Sequence, residues 1–160
     1  MVQPDRPEKV AFALIVAVAC CVFAAMANRS LLAETEEPVA QIRAVLHDQQ
    51  DAWNRGDIDG FMNGYVRSGS TVFVSEDTVT RGWETVRDRY KLKYSSRQNM
   101  GKLTFSELDI TVLSSDAAVA AGHWELQRAK DQPHGRFTLI LKRLPEGWRI
   151  VHDHTSAAPP

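Results

Sequence analysis

At 160 residues, of which 44% are hydrophobic, the chain has the length of one domain with a short appendage. Its 19 basic residues are offset by 20 acidic ones, and without a basic excess to hold a phosphate backbone we expect no nucleic-acid partner. Both cysteines, Cys20 and Cys21, lie in an apolar amino-terminal segment, so the rest of the chain has neither a disulfide nor a cysteine nucleophile.

The amino-terminal segment has the pattern of a signal peptide over residues 1–27. Arg6 and Lys9 precede an uninterrupted apolar run from residue 10 to residue 27. Ala25-Met26-Ala27 then supplies the small residues that a signal peptidase reads. We therefore predict cleavage after Ala27 and a mature protein that is secreted or periplasmic.

Two other interpretations of this segment stay open. Its 18 apolar residues reach the lower length limit of a membrane-spanning helix, so the first alternative is an uncleaved anchor that holds an exported domain at the membrane. The second alternative makes Cys20 or Cys21 a lipoprotein attachment site, although the usual preceding leucine is missing.

A polar spacer, residues 28–37, separates this segment from the predicted domain, residues 38–160. From Val39 to Trp53, apolar residues recur at spacings of three, four and seven, which predicts an amphipathic helix. Gly56 ends this helix, and Asp57 is the predicted cap of a second, short helix.

The next two predicted elements are a short strand and a third helix. Residues 71–74 are β-branched or aromatic and predict the strand. Thr78–Gly82 is predicted as a turn that leads into the helix, Trp83–Tyr94, on which Trp83, Val86 and Tyr90 form one apolar stripe.

After Gly101 the pattern changes from helical to alternating, which predicts strands joined by tight turns. The predicted strands are Leu103–Leu113, Asp116–Arg128, Arg136–Leu144 and Trp148–Thr155. Because helices come first and hairpins follow, the fold class is α+β with an antiparallel sheet.

The closing strand resembles that of the nuclear transport factor 2-like superfamily. Residues 148–159 read Trp-Arg-Ile-Val-His-Asp-His-Thr-Ser-Ala-Ala-Pro, and the superfamily motif is Trp-basic-Ile-Val-His-x-His-x-Ser-x-Ala-Pro. Arg55–Phe61 is similar to its Gly-Asp-x-Asp-x-Phe/Ile turn, and Thr80–Arg87 resembles the start of its third helix. The resemblance is strongest to the association domain of calcium/calmodulin-dependent protein kinase II and its SnoaL-like relatives. It implies a cone-shaped, curved antiparallel sheet wrapped around the amino-terminal helices, with an internal pocket.

The pocket lining is predicted from strand parity and from this resemblance. His123 and Glu125 share one face of their strand, and Trp124 shares the other with Leu126. In the kinase association domain the position of His123 carries a pocket-facing arginine, which implies that His123 and Glu125 face the cavity here. The predicted ligand-binding residues are Tyr65, Phe73, Trp83, Tyr90, His123, Glu125, Leu139 and His152.

Aromatic rings with polar tips suit a pocket for a mostly apolar, small organic molecule, and we expect such a ligand and no cofactor. The alternative is that these aromatic side chains only fill the core, as most apolar residues at helical spacing do.

Two histidines in the closing strand have three possible roles. A period of two places His152 and His154 on one face, together with Trp148 and Ile150. They could hydrogen-bond neighbouring elements, touch a ligand, or bind zinc with a third histidine. We predict no metal, because the resembling association domain carries the same histidine pair without a metal role.

Several superfamily relatives are enzymes: ketosteroid isomerases, polyketide cyclases, dehydratases and epoxide hydrolases. Isomerase chemistry needs a carboxylate base and a proton donor. By alignment these positions fall at or beside Val74 and at Ala52, and neither residue can serve. We therefore favour a binding module without a catalytic apparatus. The alternatives are an enzyme that uses His123 with Glu125 or a tyrosine, and a pure oligomerisation module.

Apolar residues on both faces of the predicted sheet indicate a partner. Phe137 and Leu139 alternate with Ile140, and Ile150 is followed by Val151. An antiparallel sheet with one face in water normally has a polar outer face. We therefore expect a homodimer with twofold symmetry that packs through the sheets.

Overall fold

Residues 37–159 are the part of the chain that the structure, a computed structural model, describes. The predicted signal peptide, its cleavage site and most of the polar spacer lie outside these residues. Within residues 37–159 we find no helix with the length and apolar character that crossing a membrane requires.

Four helices and six strands follow one another along the described chain. The helices are α1 (residues 37–55), α2 (Ile58–Met62), α3 (Trp83–Lys93) and α4 (Arg97–Met100). The strands are β1 (Val72–Ser75), β2 (Thr78–Arg81), β3 (Lys102–Ser114), β4 (Ala117–Gln127), β5 (His134–Leu144) and β6 (Gly147–Thr155). The predicted α+β class, a curved sheet around the amino-terminal helices, is confirmed.

Backbone capping fixes the junction between α1 and α2. Gly56 has a φ of +84°, a value that costs glycine little, and its N–H bonds the carbonyl of Trp53 at 2.8 Å. The carboxylate of Asp57 accepts a hydrogen bond from the Gly60 N–H at 2.7 Å, which caps α2 as predicted. Arg97, from α4, donates to the carbonyl of Trp53 at 2.8 Å and so ties α4 to the end of α1.

The six strands form one sheet in the order β2-β1-β6-β5-β4-β3. All neighbouring strands are antiparallel except β1 and β6, which are parallel. The prediction of a simple turn at Thr78–Gly82 is wrong, because Thr78–Arg81 pairs with β1 as a hairpin. The short helix α4 was also not predicted, since four residues are too few to show a helical period.

Three register shifts interrupt the regular strand pairing along the sheet, two of them between β3 and β4, of which the second lies between Val112 and Ser114, and one between β5 and β6. In β3 the register shifts between Ser106 and Asp109, where Glu107 has a φ of +52°. In β6, Ile150 pairs with Leu141 and His152 pairs with Ile140, so Val151 is an extra residue. A bulge exchanges the two faces of everything that follows it, and the β6 bulge decides which side chains enter the pocket.

The core lies between the helices and the concave face of the sheet. Its largest fully buried side chains include Trp148 and Ile150 from β6 and Ile42 and Leu46 from α1. Gly122 on β4 leaves room for a ring, since an added Cβ would lie 2.5 Å from Cζ of Phe137. Small residues on β4 therefore let aromatic side chains of its neighbours cover the concave face.

Candidate ligand-binding site

A cavity of about 120 Å³ lies between the helices and the concave face of the sheet. Aromatic rings form much of its wall, and most of the contacting rings pack edge to face or tilted against one another. The ring centroids of Trp53 and Phe61 are 5.3 Å apart, and that of Tyr90 is 5.3 Å from Phe61 and 5.6 Å from Phe73. The other aromatic residues of the wall are Tyr65, Tyr94, Phe105, Trp124 and Phe137. A rigid wall of this kind suits a flat, mostly apolar molecule.

Among the described residues, Asp153 is the one buried acidic side chain that lines the cavity. Asp153 is only 4% exposed, and the bulge at Val151 turns it inward. Tyr65 Oη donates a hydrogen bond to Asp153 Oδ2 at 2.6 Å, and Thr155 Oγ1 donates to Oδ1 at 2.8 Å. Within the described residues, no lysine or arginine forms an ion pair with this carboxyl group.

Burial raises the pKa of Asp153 from its ordinary 3.8 to about 6, because an apolar site disfavours the charged carboxylate. The hydrogen bonds from Tyr65 and Thr155 act in the opposite direction, since they favour the ionised form, but burial has the larger effect. Asp153 therefore changes its charge close to neutral pH, inside the cavity.

Two tyrosines next to this carboxyl group remain hydrogen-bond donors at neutral pH. Burial first, and the nearby Asp153 charge second, raise the pKa values of Tyr65 and Tyr90 well above their ordinary range. The hydroxyl groups of the two tyrosines also interact with each other. The buried part of the cavity thus offers the carboxyl group of Asp153 as an acceptor, flanked by protonated phenols, and the amide of the buried Gln49 also lines it.

The mouth of the cavity carries basic side chains. Arg89 donates from Nη1 to Thr80 Oγ1 at 3.1 Å, and its Cζ lies 5.0 Å from the centroid of the Phe73 ring. Lys93 Nζ lies 5.6 Å from the centroid of the Tyr94 ring. Both side chains line the cavity, as does the exposed Glu76 in the turn between β1 and β2.

Four of the eight residues predicted for the pocket line this cavity: Tyr65, Phe73, Tyr90 and Leu139. Trp83 lies elsewhere in the core. Its indole nitrogen donates to the carbonyl of Met62 at 2.9 Å, and the guanidinium groups of Arg67 and Arg87 lie 4.4 and 5.2 Å from its ring centroid. Trp83 therefore anchors α3 against α2 and is absent from the cavity wall.

The structure places the other predicted residues, His123, Glu125 and His152, on the outer face of the sheet. His123 lies on β4 with Nδ1 3.4 Å from Ser106 Oγ, and its ring centroid is 5.6 Å from that of His134. On β4 the cavity receives Trp124 and Leu126 instead. The alternation of side chains alone could not decide which face of β4 lines the cavity, because the residues before His123 are small or apolar on both faces of the strand.

The position predicted for His152 is wrong because of the bulge at Val151. With strict alternation, His152 and His154 would follow Trp148 and Ile150 toward the core, whereas the extra residue turns Asp153 inward. Asp153 is the main residue that sequence reasoning missed, and a regular period of two assigns it to the wrong face. Within residues 37–159, no group of three or more histidine, cysteine or acidic side chains has the geometry of a metal site.

The comparisons with known proteins agree with this fold. The profile described as SnoaL-like domain matches residues 42–160. A nuclear transport factor 2-like protein of unknown function from Shewanella oneidensis is 37% identical, with a TM-score of 0.72 over 74% of this chain and 98% of that one. No curated protein matches the chain.

More distant solved structures share the fold alone. A nuclear transport factor 2-like superfamily protein from Salmonella enterica is 21% identical, with a TM-score of 0.63 over 78% of this chain and 94% of that one. A protein from Xanthomonas campestris described as a calcium/calmodulin-dependent protein kinase II association domain is 17% identical. Its TM-score is 0.60, over 74% of this chain and 86% of that one.

Proposed function

We propose, since the chain belongs to the SnoaL-like domain family, that it is a small-molecule-binding module whose ligand occupies the cavity around Asp153 and Tyr65. The observation that carries this proposal is an aromatic-walled cavity that ends in a buried, hydrogen-bonded carboxyl group with no cationic partner within the described residues. An apolar wall with a few converging polar groups is the usual composition of a ligand pocket.

The volume of the cavity limits the size of the ligand. Pockets for drug-sized molecules measure roughly 300–1,000 Å³, whereas an engineered cavity of about 150 Å³ holds one benzene ring. At about 120 Å³, the cavity here is in the second class. We therefore expect a ligand built around a single ring.

Thermal-shift measurements with indole and phenol test this proposal. Both probes should raise the melting temperature of the wild-type protein, because a ligand that binds only the folded state stabilises it. Leu139→Trp fills the cavity from β5 and should remove the shift, whereas Thr138→Trp adds the same ring to the exposed, opposite face and should leave it intact. A wild-type protein that responds to neither probe, or two variants that respond equally, would contradict the proposal.

A second candidate function is acid–base catalysis, and the raised pKa of Asp153 favours it. A general base works best when its pKa lies near the working pH, and about 6 is close to that range. Asp153 with Tyr65 replaces the predicted pair of His123 and Glu125, which the structure places on the outer face. The test is exchange of an acidic C–H of a bound ligand in deuterated water, which Asp153→Asn should abolish and His123→Ala should not.

We also propose that two copies of the chain pack through the outer faces of their sheets. Ile140 is 40% exposed in the middle of that face, and Val79 at the edge strand is 54% exposed. The outer face of an antiparallel sheet is normally polar, and a twofold contact would cover the apolar side chains that this one carries.

The export of the protein remains a proposal that rests on residues 1–27 alone. Mass spectrometry of the protein from its native host should find Asn28 as the first residue. An intact Met1 in the membrane fraction would replace the signal peptide with an anchor.

A further inference from the structure

The cavity has two polar ends of opposite character. Asp153 and Tyr65, at 4% and 3% exposed, form the buried end and can accept a hydrogen bond from a ligand. Arg89 and Lys93 line the mouth. Of the mouth residues, α3 supplies the two cations, and the β1–β2 turn supplies one anion, Glu76.

The cations at the mouth are available to a ligand. Arg89 donates to the hydroxyl of Thr80, and no ion pair of Arg89 or Lys93 occurs within residues 37–159. The two other cations of this stretch of α3 are paired, Arg87 with Asp88 and Lys91 with Asp59, each at 2.8 Å. An unpaired guanidinium over an aromatic ring at a pocket mouth can bind a carboxylate in a bidentate manner.

The Phe73 side chain connects the two ends of the cavity. Asp153 on β6 is the register partner of Phe73 on β1, and these adjacent strands are about 4.8 Å apart. The Arg89 guanidinium lies 5.0 Å from the centroid of the Phe73 ring. Asp153 and Arg89 therefore border the same aromatic residue, which suits a ligand that has one ring with a polar group at each end.

We infer that the cavity takes a small aromatic acid that also carries a hydroxyl group across the ring. The hydroxyl donates to the carboxylate of Asp153, and the acid group pairs with Arg89 and Lys93 at the mouth. This inference rests on the proposed binding function and adds the chemical class of the ligand. A ring that carries an ammonium group could also pair with Asp153, but the positive charges of Arg89 and Lys93 disfavour a cation in the same cavity.

Calorimetric titration of the full chain at pH 8 tests the inference with four probes: 4-hydroxybenzoate, benzoate, phenol and tyramine. 4-Hydroxybenzoate should bind at least about tenfold more tightly than benzoate or phenol, because each of these lacks one charge-assisted contact. Tyramine, with a cation in place of the acid, should bind more weakly than phenol. Tyramine as the tightest probe, or phenol equal to 4-hydroxybenzoate, would overturn the inference.

Variants of α3 separate the acid contact from the rest of the pocket. Arg89→Gln should weaken the binding of 4-hydroxybenzoate about tenfold and leave the affinity for phenol unchanged. Lys93→Gln should also weaken the binding of 4-hydroxybenzoate. Lys91→Gln removes an equal charge from the same helix, but Lys91 pairs with Asp59 outside the cavity and should change neither affinity. An equal effect of Arg89→Gln on both probes would overturn the inference.

The outcomes also distinguish this inference from the proposed function. If indole or phenol binds and 4-hydroxybenzoate gains nothing over phenol, the ligand class is wrong while the binding pocket stands. If none of the aromatic probes binds, both proposals fail.

Discussion

Asp153 makes the stability of the folded chain depend on pH. Its folded-state pKa of about 6 lies above the ordinary 3.8, mainly because the carboxyl group is buried. A carboxyl group whose pKa is raised on folding stabilises the folded state fully at a pH below its pKa in the unfolded chain. This stabilisation is lost as the pH rises through the pKa of the folded state. For a difference of this size the loss is about 3 kcal/mol.

We predict that Asp153→Asn removes this loss. An asparagine can still accept from Tyr65 and can donate its amide to Thr155, and it carries no charge at any pH. The unfolding free energy of the variant relative to wild type should therefore rise by on the order of 3 kcal/mol as the pH increases from 3.8 to above 6. Urea unfolding across that pH range measures this difference, and parallel curves for the two proteins would contradict the prediction.

Tyr65→Phe is a control that keeps the carboxyl group of Asp153 and changes only its pKa. The Tyr65 hydroxyl favours the ionised carboxylate, so its removal should raise the pKa of Asp153 further and move the pH-dependent step to higher pH. The step should disappear only in Asp153→Asn. An unchanged step in Tyr65→Phe would show that the 2.6 Å hydrogen bond is not formed in solution.

At the level of single residues, the sequence could identify the aromatic wall and not the polar end. Tyr65, Phe73 and Tyr90 were predicted because bulky apolar residues in helices and a central strand face the core of this fold. The inward orientation of Asp153 depends on the β-bulge at Val151, and the sequence around Val151 contains no glycine or proline that would indicate a bulge. His123 and Glu125 were assigned to the cavity by resemblance. Successive residues of a strand face opposite sides of the sheet, so an alignment that is shifted by one residue selects the wrong face.

Among the elements, β4 determines how closely the sheet and the pocket wall pack. Gly122→Ala should destabilise the fold, because the new Cβ would lie 2.5 Å from Cζ of Phe137 and 2.9 Å from Cδ2 of Leu108. Overpacking of this kind costs about 1–3 kcal/mol. Since Phe137 lines the cavity, the same variant should also weaken the binding of indole. Chemical unfolding and the thermal-shift assay measure the two effects.

Gly69→Ala is the matched control for this variant. No atom lies within 4 Å of a Cβ built on Gly69, and its φ is outside the left-handed region. It should leave both unfolding and indole binding close to wild type. Equal losses in the two variants would mean that packing against Phe137 is not the cause.

The elements themselves were largely predictable because their signals are local. The cap at Asp57 and the start of α3 at Trp83 depend on residues next to them in sequence. Strand β2 was missed because it is short and its residues are mostly exposed, so its sequence has no alternating apolar pattern. It is recognised as a strand only by its pairing with β1. The parallel pairing of β1 with β6 joins segments far apart in sequence, which no local pattern reports.

For the whole molecule, the outer face of the sheet predicts a homodimer. Ile140 lies in the middle of that face, with Val119 and His152 as its register partners on both sides. Ile140→Asp should convert a dimer into a monomer, with the dissociation constant raised roughly thirtyfold or more. Leu92→Asp, on α3 and 83% exposed, places the same charge on another surface and should leave the dimer intact. Sedimentation velocity decides, and a wild-type protein that is monomeric at micromolar concentration would remove the idea.

We expect the concave side of the sheet, around Asp153, to hold a small aromatic ligand, and the outer, histidine-bearing side to hold none. Intermolecular nuclear Overhauser effects between 4-hydroxybenzoate or indole and the isotope-labelled protein show which side the ligand contacts. The ligand ring protons should show contacts to Phe137, Leu139 and Tyr90. Contacts to His123 and His152 alone, or no contacts up to the solubility limit of either probe, would contradict a ligand site on the concave side.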